Sequence, residues 1–281
     1  MSESKSKNGV STDRSQKEKW EHLTRTGNNQ ELKYGRDLPD DTPEQILKYY
    51  DEFEDHVTEL SFEGVSGLLL DAGCGNGNLV GRAIESGFTK SINYVGLDFS
   101  ENMLSRARRR VNNLDFANFI VGSVSSLSFK NGSFDRIVCS GVTSQLLTVE
   151  RLQSSLAEFN RILKPAGILL VDFFNRSCPI VFAGRIFLRE KIDPPRYISP
   201  SVFRAMLEIE GFTIEREFGF GFKQRLSGER NKWQHFTDPW FLQEKFSRFM
   251  ENHAVNWFPM LGRLGYRIYV KCRKNTTDIV R

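Results

Sequence analysis

The apolar positions of this sequence follow two different spacings, and the change from one to the other predicts alternating strands and helices. Short continuous apolar runs, typical of buried strands, occur at LLLD, INYVGLD, FANFIVG, SFDRIVC and ILLVDFF. Between them lie segments whose apolar residues recur every three or four positions, as on one face of a helix. Strands that alternate with helices in this way are typical of an α/β fold with a parallel sheet.

The first clear helical pattern lies ahead of the first strand. Thr42 is suited to an N-cap, Pro43 to the first helical position and Gln45 to the second half of a capping box. These residues predict an amphipathic helix whose apolar positions are Ile46, Leu47, Tyr50, Phe53, Val57 and Leu60.

The last third of the chain adds two strands and an insertion. Ser199 and Pro200 begin a predicted helix that ends before Gly211, and FTIEREFGF follows as a sixth strand. YRIYVKCRK alternates like a seventh strand. Residues 222–260 lie between the last two strands and contain three of the four tryptophans, so we expect a lid over an apolar acceptor or, alternatively, a dimer surface.

Composition and charge narrow the class of protein. The 281 residues, 39% of them hydrophobic, suffice for one large α/β domain with a lid, and no apolar run reaches the length of a membrane-spanning helix. The first residues lack the apolar stretch of a signal peptide, and the four cysteines are widely spaced, so we expect a cytoplasmic protein with reduced thiols. A net charge of +4 is too small to indicate nucleic-acid binding, and the run SRARRR is interpreted as a solvated helix face.

The stretch LLLDAGCGNGNLV carries the strongest functional signal. Asp71 ends a strand and is followed by Gly73, Gly75 and Gly77, which allow a tight turn and close approach of a ligand to the backbone. A second acid, Asp98, ends the next strand, where a carboxylate can accept hydrogen bonds from both hydroxyls of a ribose. A dinucleotide fingerprint requires Gly or Ala where this chain has Asn78, so the pattern favours S-adenosylmethionine over NAD(P) or FAD.

The pattern D-x-G-x-G-x-G resembles motif I of the class I S-adenosylmethionine-dependent methyltransferases, most closely the type 11 small-molecule branch. LAEFNRILKPAGILLVDFFNRS resembles the helix, turn and fifth strand of the same family, with Ala166 in place of the first glycine of the turn, which we expect to tighten it. The resemblance implies a Rossmann-like sheet of seven strands in the order 3-2-1-4-5-7-6, with strand 7 antiparallel, helices on both faces and added lid elements.

The resemblance also implies the cofactor contacts. Asp71 and the three glycines would surround the methionine part, Asp98 would bind the ribose, and Ser140 would approach the methionyl end. Ser123 stands where relatives usually have an aspartate, so its contact with the adenine would be neutral and weaker. The remaining adenine contacts would come from Phe99, Met103 and Val124.

No catalytic group or metal site stands out. The ends of strands four and five carry Ser140-Gly141 and Phe174-Asn175, too few oxygen ligands for a hard cation, so no metal is expected. The substrate motifs of base methyltransferases are absent from the fourth loop, and DPPRY and Cys178-Pro179 are interpreted as coincidental loop prolines. Weak candidates for a general base or an orienting group are His56, His235, His253, Tyr34 and Tyr197.

The predicted organisation is a disordered tail at residues 1–15, an N-terminal helical lid at 16–66 and a methyltransferase domain at 67–281. Tyr34, Tyr49, Tyr50 and His56 are candidate lid residues by resemblance. The predicted function is methyl transfer to the oxygen, nitrogen or carbon of a small, apolar or aromatic acceptor, giving S-adenosylhomocysteine. A tRNA or protein methyltransferase and a non-catalytic binding subunit stay open as alternatives, as does the oligomeric state.

Overall fold

A computed structural model of the protein describes residues 44–112, 115–146, 148–179, 196–220 and 263–276, together with residues 18, 21 and 181. The predicted tail, the N-cap of the first helix, the whole aromatic insertion at 222–260, Tyr34, His235 and His253 lie outside these ranges. The chain divides after Ser140 into two compact units, which are described separately.

The first unit contains a four-stranded parallel sheet in the order β3-β2-β1-β4. The predicted apolar runs coincide with its strands. β1 pairs with β2 on one edge and β4 on the other, and its residues 69–72 are buried. The elements are α1 (Glu44–Phe62), β1 (Gly67–Ala72), α2 (Asn78–Glu85), β2 (Ile92–Asp98), α3 (Glu101–Arg110), β3 (Ala117–Val121) and β4 (Phe134–Cys139).

Helix α1 is fixed in the first unit at its C-terminal end. Phe53 and Val57 are buried along one face of the helix, as the apolar spacing predicted, and Phe62 is buried at its last residue. Arg136 of β4, itself buried, donates from Nη1 to the backbone carbonyls of Leu60 (3.3 Å), Ser61 (3.0 Å) and Glu63 (3.1 Å). These carbonyls have no partner within the helix, so the guanidinium caps its negative end.

The second unit is built on β5, β8 and β7, with β8 antiparallel to both neighbours. This confirms the prediction that the last strand is antiparallel and lies between the predicted strands five and six, which are β5 and β7 here. The elements are a 3₁₀ turn (Thr143–Gln145), α4 (Val149–Ile162), β5 (Leu163–Asn175), β6 (Tyr197–Ile198), α5 (Pro200–Ile209), β7 (Phe212–Phe220) and β8 (Arg267–Lys274).

The fold class is confirmed as mixed α/β, with the strand order β3-β2-β1-β4 in the first unit and β5-β8-β7 in the second, where the two-residue β6 lies beside β5. DPPRY reaches the two-residue β6 at Tyr197, and its two prolines lie outside the described residues. Ala166 lies within β5, which already begins at Leu163, and has a left-handed φ of 60°.

None of the four cysteines forms a disulfide, in agreement with the predicted reduced thiols, and all four are buried. Among the described residues, no helix is both long and apolar enough to cross a membrane.

Candidate cofactor site

The turn between β1 and α2 is shaped by its glycines. Gly73, Gly75 and Gly77 have φ angles of 87°, 54° and 75°, a region that residues with a Cβ rarely adopt. The turn is attached to β2 because the amides of Gly73 and Cys74 both donate to the Leu97 carbonyl, at 2.7 and 3.0 Å. A Cβ on Gly77 would lie 2.9 Å from the Cβ of Ala107 in α3. The close helix approach therefore occurs at Gly77, not at the following position that a dinucleotide fingerprint uses.

Asp98 ends β2 beside this turn, at the position that its spacing predicted. Its Oδ2 accepts from the amide of Gly75 (3.0 Å) and its Oδ1 from the amide of Ser100 (2.9 Å). Burial raises the pKa of the Asp98 carboxyl, and the hydrogen bonds from backbone amides partly oppose that rise. A carboxylate has about four lone-pair sites, so these two bonds leave capacity for ligand hydroxyls.

Asp71 is almost fully buried, and its partner was not found from the sequence. The hydroxyl of Tyr94 donates to Asp71 Oδ2 at 2.6 Å. Burial raises the pKa of Asp71 to about 7; the Tyr94 hydrogen bond lowers it and the neighbouring Asp98 raises it. The strand register explains the contact. Asp71 of β1 pairs with Gly96 of β2, and Tyr94 lies two residues before Gly96 on the same face of the sheet.

The residues predicted to line the adenine follow β2 and β3. Phe99 is half-buried, Met103 and Val124 are buried, and Ser123 is exposed. Ser100 caps α3 by accepting from the Met103 amide at 3.4 Å. Ser123 Oγ accepts from the amide of Ser125 at 3.3 Å. The contacts of these side chains with an adenine stay predictions.

Asn78, the first residue of α2, connects α2 to the helices on both sides of it. Its Nδ2 donates to Glu54 Oε2 of α1 at 3.3 Å, and its Oδ1 accepts from Arg110 Nη1 of α3 at 3.0 Å. A Cβ on Gly81 would lie 2.7 Å from Arg110 Cδ, so the arginine stem lies against α2. The basic run of α3 is therefore more than a solvated face at this residue.

Arg82 adds a second connection between α1 and α2. Its guanidinium contacts the carboxylates of Asp51 and Asp55, both at 2.5 Å. His56 lies on the same helix with 46% of its side chain exposed, and its Nδ1 is 3.8 Å from Glu59 Oε2. Tyr50 is half-buried, and the side chain of Tyr49 lies outside the described set. A catalytic or lid role for these residues stays a prediction.

In the second unit, a buried acid holds the loop that follows β4. Asp172 of β5 accepts from the Gly141 amide at Oδ1 (2.7 Å), and its backbone carbonyl accepts from the Thr143 hydroxyl (2.6 Å). Its Oδ2 forms an ion pair with Arg267 of β8, which is also buried. Sequence reasoning missed Asp172, although an acid inside the apolar run ILLVDFF was visible. Ser140, the last residue of the first unit, is half-buried.

Three aromatic rings meet near the carboxyl end of β5. Phe174 stacks on Tyr266 with ring centroids 4.9 Å apart, and the hydroxyls of Tyr197 and Tyr266 lie 3.1 Å apart. Burial raises the pKa of Tyr266. Within the described ranges, no group of three or more His, Cys, Asp or Glu residues is arranged to hold a metal ion. The expectation of a metal-free site therefore stays an expectation.

Comparison with known proteins identifies the family. A family model described as a methyltransferase domain matches residues 69–167, which include the glycine turn and Asp98. An uncharacterised methyltransferase of Synechocystis is 36% identical over 172 residues, covering 58% of this chain and 76% of that protein. The chain belongs to the class I S-adenosylmethionine-dependent methyltransferases. A demethylmenaquinone methyltransferase of Staphylococcus epidermidis is 32% identical over 159 residues, covering 57% of this chain and 64% of that protein.

The match of this methyltransferase to two other curated relatives is shorter. A 37.1 kDa protein from a Streptomyces fradiae transposon and a Bacillus subtilis methyltransferase are matched over only 36% and 42% of their lengths. Family membership therefore does not transfer the whole activity of any one relative.

Solved structures resemble this methyltransferase in fold. Magnesium protoporphyrin IX methyltransferase of Synechocystis, with S-adenosylhomocysteine bound, has a TM-score of 0.57 at 15% identity, covering 91% of this chain and 97% of that one. The cyclase SpnF has a TM-score of 0.52 at 18% identity, covering 82% and 83%. Since one of these proteins is a methyltransferase and the other a cyclase, the fold alone does not fix the reaction.

Proposed function

We propose that this protein transfers the methyl group of S-adenosylmethionine to a small-molecule acceptor. The observation that carries the proposal is the turn of three left-handed glycines whose Gly75 amide is held by the buried Asp98. Such a turn admits a ligand against the backbone, and the carboxylate beside it is suited to ribose hydroxyls. Family membership supports the same cofactor.

The proposed cofactor residues follow from this placement. Asp71 and the glycines would surround the methionine part, Asp98 would accept from the ribose, and the adenine would lie among Phe99, Met103, Ser123 and Val124. Asp71 and Asp98 accept only from neutral donors among the described contacts. S-adenosylmethionine carries a sulfonium and an ammonium group, so a site with uncompensated carboxylates suits its charge.

The reaction would be an in-line displacement. An electron pair of the acceptor forms the new bond to the methyl carbon, the carbon–sulfur bond breaks, and its electrons neutralise the sulfonium in S-adenosylhomocysteine. A proton is released only when the attacking atom carried one. Because a cation is consumed, the protein contributes positioning and exclusion of water more than charge stabilisation.

An apolar or aromatic acceptor is the proposed substrate class. The support is the group of Phe174, Tyr197 and Tyr266 near the carboxyl end of β5, since ligands of open α/β sheets bind beyond the carboxyl ends of strands. The relatives named for demethylmenaquinone agree with an acceptor of this kind. The domain bounds, the aromatic insertion as a lid and a cytoplasmic location belong to the same proposal.

Calorimetric titration with S-adenosylhomocysteine tests the proposed cofactor. We expect wild-type binding in the micromolar range and a loss of about tenfold or more for Asp98→Asn, since a hydrogen bond to a charged group contributes about 1.5–3 kcal/mol. Asp115→Asn, the same change at an exposed site ahead of β3, is the control and should bind like the wild type. Absence of wild-type binding at high micromolar concentration would overturn the proposal.

Turnover separates the proposal from its alternatives. Release of S-adenosylhomocysteine is measured with a panel of quinols, phenols, amines and carboxylic acids. Turnover of an aromatic acceptor is the expected result. Turnover of tRNA or of a protein alone would contradict the substrate class, and cofactor binding without any turnover would favour a binding subunit.

A further inference from the structure

The glycine turn between β1 and α2 is followed by Asn78, whose side-chain amide has a hydrogen-bond partner at each end. Asn78 follows Gly77 directly, so its backbone is the end of the turn and the start of α2. Its Nδ2 donates to Glu54, which is 9% exposed, and its Oδ1 accepts from Arg110. An amide is suited to this position because it donates toward an acid and accepts from a base at the same time.

The other contacts of α1 leave the helix little freedom in this unit. Arg136 caps its C-terminal carbonyls, and Arg82 contacts two of its carboxylates. The α1 residues Val57 and Phe62 are buried. The part of α1 that carries Glu54 is therefore fixed in the first unit, and the bond from Asn78 to Glu54 holds the start of α2 against it.

We infer that Glu54 and Asn78 form a positioning pair that sets the glycine turn for the cofactor. Neither residue needs to contact the cofactor. The pair holds the first residue of α2, and the amides of Gly75 and Gly77 keep their directions because the turn is fixed at that end and at Asp98. The inference rests on the proposed function, since it concerns the site proposed for S-adenosylmethionine.

The matched substitution is Asn78→Asp, which keeps the size of the side chain and reverses its donor end. The new carboxylate would face the Glu54 carboxylate, and like charges in contact repel. We expect the dissociation constant for S-adenosylhomocysteine to rise about tenfold, the change that about 1.4 kcal/mol produces. The loss should shrink at lower pH, because two carboxyl groups in contact can share one proton.

Rescue by the partner change separates positioning from a general loss of stability. In Glu54→Gln with Asn78→Asp, the glutamine amide donates to the new carboxylate, so binding should return to within about threefold of the wild type. Glu59→Gln removes the same charge from an exposed site of α1 and is the control. Hydrogen exchange of the Gly75 and Gly77 amides without cofactor should quicken in Asn78→Asp and recover in the double variant.

The outcomes distinguish this inference from the proposed function. Unchanged affinity in Asn78→Asp, or a loss that the double variant does not reverse, would overturn the inference and leave the proposed function standing. Absence of wild-type binding would overturn both. If Asn78→Asp does not fold, the double variant still decides: a folded double variant that binds at wild-type affinity supports the pair, and one that binds weakly overturns it.

Discussion

Both units of this methyltransferase bury carboxyl groups beside a loop, but the hydrogen-bond partners of these groups are neutral in the first unit and charged in the second. In the first unit, Asp71 accepts from the neutral phenol of Tyr94, and Asp98 accepts from backbone amides. In the second unit, Asp172 is paired with the guanidinium of Arg267 and also holds the Gly141 amide. Among the described contacts the acids of the first unit therefore have no cationic partner, and burial raises their pKa values, whereas Asp172 has a charged partner and fixes its loop.

Backbone with positive φ also differs between the two units. The first unit places glycine at Gly73, Gly75 and Gly77, where φ is positive. The second unit has Ala166 at a left-handed φ of 60°. Glycine adopts these angles without the steric cost that a Cβ brings, while the alanine carries strain that its surroundings must hold, including the bond from Arg273 Nη1 to its carbonyl at 2.9 Å.

The largest predicted effect comes from removing the cation of the second unit. Arg267→Met leaves Asp172 buried without its charged partner, and we expect a loss of about 3–5 kcal/mol in the free energy of unfolding. Denaturant unfolding measures it. Arg273→Met on the same strand removes a half-exposed pair with Glu215 and a hydrogen bond to the Ala166 carbonyl, and should cost less, about 1–2 kcal/mol. Equal losses in the two variants would remove the distinction between the buried pair and surface pairs.

The pH dependence of stability tests the uncompensated charge of Asp71. Its folded pKa of about 7 lies above the usual value of 3.8, so the folded state binds the proton more tightly. Stability from this group is fully present below the usual value and is lost as the pH rises through about 7. Relative to Asp71→Asn, wild-type stability should fall by about 2–3 kcal/mol from about pH 5 to about pH 8.

Cofactor affinity should change in the opposite direction. Because the ionised carboxylate attracts a cationic ligand, binding of S-adenosylmethionine should strengthen as the pH rises through about 7.

For the stability measurement, parallel curves of the free energy of unfolding against pH for wild type and Asp71→Asn would show that Asp71 is not the titrating group.

The smallest predicted effect concerns the left-handed backbone of Ala166. Ala166→Gly removes the left-handed strain, worth about 1–2 kcal/mol, and adds chain entropy to the unfolded state, so the net gain should be about 0.5–1 kcal/mol. Ala83→Gly within α2 should have the opposite sign, with a loss of about 1 kcal/mol, because glycine disfavours a helix interior. Thermal unfolding measures both, and a loss in Ala166→Gly would contradict the strain assigned to this residue.

Much of the fold could be predicted because its signals are local. The apolar run that ends in Asp98 matches β2, and the spacing after Ser100 matches the buried face of α3. The antiparallel last strand was expected from the family resemblance and is confirmed. The two-residue β6 could not be predicted, because so short a strand has no periodicity and exists only by pairing with β5.

The partners of the site residues required the tertiary structure. Tyr94 lies 23 residues from Asp71, Asn78 lies 24 from Glu54, and Arg267 lies 95 from Asp172. No local pattern specifies such pairs, since each depends on strand register or helix packing. The sequence did supply Asp98 and Gly75 as candidate site residues, because glycines in a turn and an acid after the next strand are local features, but it did not supply the hydrogen bond between them.

The sequence by itself determined the family and the backbone of the cofactor turn, because glycines at positive φ and an acid after the next strand are written into the local order of residues. Only the tertiary structure decided what Asn78 does. In the sequence, an asparagine at this position argues against a dinucleotide as the ligand. Its contacts with Glu54 and Arg110, however, arise from the packing of three helices. Side-chain function of this kind depends on neighbours that are distant in the chain, and folding alone brings them together.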